Sequence, residues 1–182
     1  MIRFVLALLL LAVPTAASAT DAGWALLRDG GHVVLLRHAM VTGTTDPANF
    51  DIDNCATQIN LSARGKQQAS KIGALFAARA APIDRVLSSR YCRCLDTARI
   101  AFEAEPKPFA PLDLLKTEEK EKAAQIAAIM TEIRGYSGSD SLVMVTHLEN
   151  IVALTGVAPR EGEAVVVEPQ GDGLRVLGRV TF

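Results

Sequence analysis

The stretch His32-Val33-Val34-Leu35-Leu36-Arg37-His38 decides how the rest of the chain is read. Its apolar part is short, unbroken and rich in Val and Leu, the pattern of a strand covered on both faces rather than of one with a wet face. A guanidinium and an imidazole follow at once. Two further runs, Arg85-Val-Leu-Ser88 and Ser141-Leu-Val-Met-Val-Thr146, have the same character. Each also leads into basic side chains, Arg90 and Arg93 after the second and His147 after the third. Strands buried on both faces pair in parallel at the centre of a sheet, so an α/β layer fold is expected.

The segments between these runs have helical periodicity. Ser62 is a good helix N-cap, and Ala69, Ile72, Leu75 and Phe76 follow at spacings of three and four before Pro82 ends the pattern. A second helix is expected over about Arg90–Phe102. A third, over about Lys120–Arg134, has Ile126, Ile129, Met130 and Ile133 on one face and Gly135 at C′. A short fourth helix follows His147 and ends at Gly156, and Ala164–Val167 with Leu174–Val180 reads as a β-hairpin closing the sheet edge. The segment Met40–Asn60 is polar and aperiodic. A loop of that length within a compact domain is usually functional.

With 182 residues there is room for one domain, and no repeat or linker divides the chain. Arg3, the apolar run Phe4–Val13 and Ala17-Ser18-Ala19 have the form of a cleavable export leader, so residues 1–19 are expected to be removed and the mature domain to begin at Thr20. The apolar run is too short to span a bilayer. A periplasmic or secreted location follows. The formal charge of −1 becomes −2 once Arg3 is lost, which excludes a general attraction to nucleic acid or anionic lipid. Three cysteines in an exported chain suggest one disulfide and one thiol. Cys55 with Cys92 is the favoured pair, Cys94 the alternative, and the missing CxxC spacing disfavours a zinc site.

In a parallel sheet the carboxyl ends of the strands lie together, so Arg37, His38, Arg90, Arg93 and His147 can converge on one pocket although they are distant in sequence. Helices that start at two of those ends add free N–H groups to the attraction for an anion. A dianionic phosphate suits such a site. With no evident carboxylate cluster to hold a metal, the set argues for phosphoryl chemistry without a metal ion or cofactor. Arginines do not attack phosphorus, and Ser88 and Ser89 have no evident base, so His38 is the candidate nucleophile. His32 has no such company and reads as a strand-entry residue.

Four ordered segments, Leu36-Arg-His-Ala39, Leu61-Ser-Ala-Arg-Gly-Lys-Gln-Gln68, Ser88-Ser-Arg-Tyr-Cys-Arg-Cys-Leu-Asp-Thr-Ala98 and Val145-Thr-His147, together resemble the histidine phosphatase superfamily, in its phosphoglycerate mutase-like branch. The resemblance spans about His32 to Gly156. It implies a three-layer α/β/α sandwich with a mostly parallel central sheet, a phosphohistidine on His38, and phosphate held by Arg37, Arg93 and His147. It also favours Arg93 over Arg90, which becomes a residue of the pocket rim. The chain departs from the family pattern at Ala39, where glycine is common and the added methyl could crowd the phosphate. The proton donor is harder to place: Asp113 is the first candidate, with Glu118, Glu119 and Glu149 as alternatives.

These readings lead to an exported phosphomonoesterase acting on a small phosphorylated substrate. Two rivals are a phosphate-binding module without turnover and a mutase. The physiological substrate and oligomeric state are not legible in the sequence.

Overall fold

A computed structural model describes residues 19–182. The leader expected over residues 1–19 lies, except for Ala19, outside the described residues. The chain forms a six-stranded sheet flanked by helices on both faces. In chain order the elements are α1 (Ala19–Asp29), β1 (Val33–Arg37), α2 (Ala63–Ala78), β2 (Ile83–Ser88), α3 (Cys92–Phe102), β3 (Lys107–Pro108), α4 (Glu119–Gly135), β4 (Ser141–Thr146), α5 (Leu148–Thr155), β5 (Ala164–Gln170) and β6 (Gly173–Val180). The strand order is β3-β2-β4-β1-β5-β6. The four strands from β3 to β1 are mutually parallel, while β5 runs antiparallel to both of its neighbours.

Alternate side chains of the buried strands feed two cores. Val34, Leu36, Val143, Val145 and Val166 pack against Trp24 and Leu27 of α1, Ile72 and Phe76 of α2, and Ala98 and Ala101 of α3. Val33, Leu35, Leu142, Met144 and Val165 pack against Ile129, Met130 and Ile133 of α4 and Ile151 and Leu154 of α5. This is the three-layer α/β/α arrangement, and it explains why Val33–Leu36 of β1 and Leu142–Val145 of β4 are apolar without alternation: both faces are dry.

The expected crossover helix is α2, capped by the Ser62 hydroxyl accepting the Gly65 N–H. Two elements were not foreseen. Helix α1 begins at Ala19, next to a segment read as leader, and its Trp24 packs edge-on against Phe76 and Phe182. The two-residue β3 is too short to carry a period. One end differs as well: Gly135 is the last residue of α4 rather than C′, and Tyr136, in extended backbone, is the cap.

Glycines set the distance between α2 and its neighbours. A Cβ on Gly73 would stand 1.8 Å from the Ala101 carbonyl oxygen, so α2 and α3 touch backbone to backbone there. Gly73→Ala should therefore force the two helices apart and destabilise the domain by about 1–3 kcal/mol. Urea unfolding checks this, and an unchanged midpoint would show that the helices move apart freely.

Candidate active site

The site is built at the carboxyl ends of β1, β2 and β4. The register pairs Arg37 with Thr146 and Ser88 with Val145, so the residues that follow these strands leave the sheet at one level. Backbone hydrogen bonds extend the pairing one step further: His38 N–H donates to Thr146 O at 3.0 Å and Ser89 N–H to Val145 O at 2.9 Å. Arg93 lies in the first turn of α3, and His147 is the N-cap residue of α5. The convergence expected from strand order is what the fold provides. Arg37, His38, Arg93 and His147 line one cleft of about 370 Å³, together with Gly43, Thr44, Thr45 and Asp46 from the loop and Glu149 and Glu161.

His38 is only 6% exposed. Its Nδ1 lies 2.9 Å from the Ala39 carbonyl oxygen, which can only accept, so Nδ1 carries the proton and Nε2 keeps its lone pair. Burial is the main cause that lowers the His38 pKa to about 4, with the Arg93 and Arg37 charges acting the same way and the Ala39 hydrogen bond and Asp46 opposing. His38 is therefore neutral at ordinary pH.

His147 is 1% exposed. Burial, followed by the Arg93, His38 and Arg37 charges, holds its pKa well below the usual imidazole range. Its Nε2 is 3.0 Å from Ser89 Oγ, which in turn donates to Asp113 Oδ1 at 3.0 Å. A hydroxyl has one proton, so Ser89 accepts from His147 Nε2–H, and the ring's other nitrogen, Nδ1, is left buried without a partner. Arg37 is similar. Its Nη1 donates to Pro159 O at 3.0 Å while its Nε is buried and unpartnered.

The sequence motifs also supply the scaffold for His38, a role not read from them. Gly65 lets α2 approach so closely that a Cβ there would lie 1.9 Å from Met40 O. Gln68 accepts Met40 N–H at 3.0 Å and donates to Glu161 O at 2.8 Å. Thr97 accepts Ala39 N–H at 3.0 Å and donates to Arg93 O at 2.6 Å, tying the segment after His38 to α3. The methyl of Ala39 packs with Leu61 and Ala69 and does not line the cleft, so the expected crowding does not arise.

Arg90 and Asp113 stand apart from the cleft. The Arg90 Nε donates to Asp113 Oδ2 at 2.8 Å, its backbone N–H donates to Oδ1 at 2.8 Å, and the two charges pair at 2.6 Å. Asp113, the first candidate for the proton donor, thus sits behind His147 with both oxygens engaged. Glu118 caps α4 and Glu119 pairs with Lys122, neither of them lining the cleft. Of the four candidates Glu149 alone lines it.

The long loop is fixed to the site rather than loose. Cys55 is bonded to Cys92, the residue before Arg93, and Gln58 accepts Cys92 N–H at 3.0 Å. Cys94 is the free thiol, buried, with burial pushing its pKa up to about 12. Among the described residues no group of three or more His, Cys, Asp or Glu could hold a metal ion, and no helix is long and apolar enough to cross a membrane.

The model of the histidine phosphatase superfamily (branch 1) matches residues 33–117. No curated protein matches the chain in sequence. Solved structures that it resembles include the protein histidine phosphatase SixA complexed with tungstate, at 13% identity and a TM-score of 0.61, covering 82% of this chain and 96% of that one. A mycobacterial glucosyl-3-phosphoglycerate phosphatase complexed with VO3 aligns at 14% identity and a TM-score of 0.56, covering 80% and 96%. The phosphoglycerate mutase of Thermus thermophilus aligns at 19% identity and a TM-score of 0.55, covering 83% and 99%. The family match thus covers residues 33–117, and the described chain as a whole has a phosphoglycerate mutase-like fold.

Proposed function

We propose that the chain is an exported phosphomonoesterase that transfers the phosphoryl group of a small substrate to His38 and then to water, without a metal ion or cofactor. The observation that carries this reading is the convergence of Arg37, Arg93 and His147 on the cleft where His38 presents a free lone pair. The guanidiniums offer N–H donors there, and a phosphoryl group supplies charged acceptors for them.

The roles follow from the geometry. His38 Nε2 attacks phosphorus, its tautomer set by the Ala39 carbonyl. Arg37 and Arg93 hold the equatorial oxygens as charge redistributes in the transition state. A phosphoryl dianion also brings the counter-charge that lets His147 Nδ1 take up a proton and donate it in a hydrogen bond, with Ser89 and Asp113 orienting the ring from behind. Guanidinium and imidazolium groups thus meet the phosphate charge that a divalent cation meets in other phosphoryl-transfer sites. Export is supported by the leader-like residues 1–19 and by the Cys55–Cys92 bond, which is stable in an oxidising compartment.

Mature protein should hydrolyse 4-nitrophenyl phosphate undiminished in EDTA and yield an acid-labile phosphoenzyme. His38→Ala should abolish both, whereas loss of one phosphate donor, as in Arg93→Ala, should lower kcat by about 100-fold or more. Turnover surviving in His38→Ala would remove the nucleophile from this reading. Phosphate binding without turnover in the wild type would favour a binding module.

The pH dependence has a definite sign. The free enzyme reacts with His38 neutral, so kcat/KM should fall as pH drops through about 4. Stability moves the same way. Unfolded His38 titrates near its ordinary 6.5, so between 6.5 and 4 the unfolded chain binds more protons and stability declines as pH falls. Tm measured across that window should fall less steeply in His38→Gln. Finally, the N-terminus of protein recovered from the periplasm or medium, read by mass spectrometry, should be Thr20.

A further inference from the structure

The loop that follows the nucleophile carries a carboxylate that the steps above leave unused. Asp46 Oδ1 and Oδ2 lie 3.1 and 3.2 Å from Arg93 Nη1, and Oδ1 also accepts Ile59 N–H at 2.8 Å. Glu149 and Glu161 line the same cleft, yet among the described residues neither is hydrogen-bonded or ion-paired to one of its cations. Asp46 is therefore the cleft carboxylate tied to a phosphate-binding group.

Its position suits the leaving group. His38 is buried, whereas Thr44 and Thr45 beside Asp46 are exposed, so the loop forms the mouth of the cleft above the nucleophile. In-line attack from Nε2 places the departing oxygen on the far side of phosphorus, toward that mouth. Arg93 has five N–H donors and Asp46 engages Nη1 alone, so the same guanidinium can hold a phosphoryl oxygen while keeping the carboxyl beside it. The loop is also held in place, by the Cys55–Cys92 bond and by Gln58, against the first turn of the helix that bears Arg93.

Resting on the phosphatase reading above, we infer that Asp46 is the proton carrier of the reaction. As the bond from Nε2 to phosphorus forms, the bond from phosphorus to the leaving oxygen breaks with its electron pair, and that oxygen takes the Asp46 proton. The resulting carboxylate then takes a proton from water as its oxygen attacks phosphorus. The bond to Nε2 breaks, releasing inorganic phosphate and restoring neutral His38 and protonated Asp46.

The test compares an aryl with an alkyl phosphate, because a good leaving group needs little protonation and an alkoxide needs much. In Asp46→Asn, kcat/KM for glycerol 1-phosphate should fall by about 100-fold or more while the first turnover of 4-nitrophenyl phosphate, followed as the burst of 4-nitrophenol, changes little. Asp46→Glu should recover part of the alkyl rate. Competitive inhibition by inorganic phosphate should persist in Asp46→Asn, showing the pocket folded. Equal losses on both substrates, or unchanged rates on both, would overturn the Asp46 role alone. Absence of His38-dependent turnover in the wild-type protein would overturn the phosphatase reading, and the Asp46 role with it.

Discussion

The parallel register of β1, β4 and β2 is the constraint on which the rest depends. Because Arg37 pairs with Thr146 and Ser88 with Val145, three strands end at one level and deliver His38, His147 and Ser89 to the same point. A slip of one residue would reverse every side chain of the slipped strand between the two dry cores, and both cores are filled by alternating residues of β1 and β4. The apolar packing therefore sets the geometry of the polar site. Neither His38 nor His147 needs a long side-chain network to find its place, since each is the first residue beyond its strand.

Clustering Arg37, Arg93, His38 and His147 in a buried cleft has an electrostatic cost, and the site limits it in two ways. Both histidines stay neutral, which removes two of the four possible positive charges. Arg93 is balanced by Asp46. Among the described residues Arg37 has no carboxylate partner, so a phosphoryl anion in the cleft would balance its charge. The arrangement is thus under-satisfied when empty and better satisfied when an anion is bound, which is how a pre-organised site gains affinity without rearranging.

The strands, the crossover helix and the cleft cations were legible because each leaves a local trace: an unbroken apolar run, a Ser cap with a three-to-four period, a basic residue immediately after a strand. Helix α1 was not, since it adjoins a segment with the composition of a leader. Its Trp24 and Leu27 declare themselves only through contacts with Phe76, Phe182 and the sheet. Cysteine arithmetic gave one disulfide and one thiol and left Cys92 against Cys94 to the loop's conformation, which bonds Cys92; the roles of the carboxylates left no such trace. Asp113 and Asp46 are both single acids in irregular segments, and what separates them is a partner distant in sequence, Arg90 and Ser89 for one and Arg93 for the other.

That contrast explains why two similar side chains have different capacities. Asp113 is held on both oxygens by Arg90 and Ser89, which fixes it behind His147 and away from the cleft. Asp46 is ion-paired through one nitrogen of the Arg93 guanidinium, and its other partner, the Ile59 N–H, can be accepted by a carboxyl as well as by a carboxylate. A group that must gain and lose a proton in each cycle needs partners that tolerate both states. The loop tied to α3 by Cys55 provides such partners, and in doing so turns an aperiodic segment into part of the site.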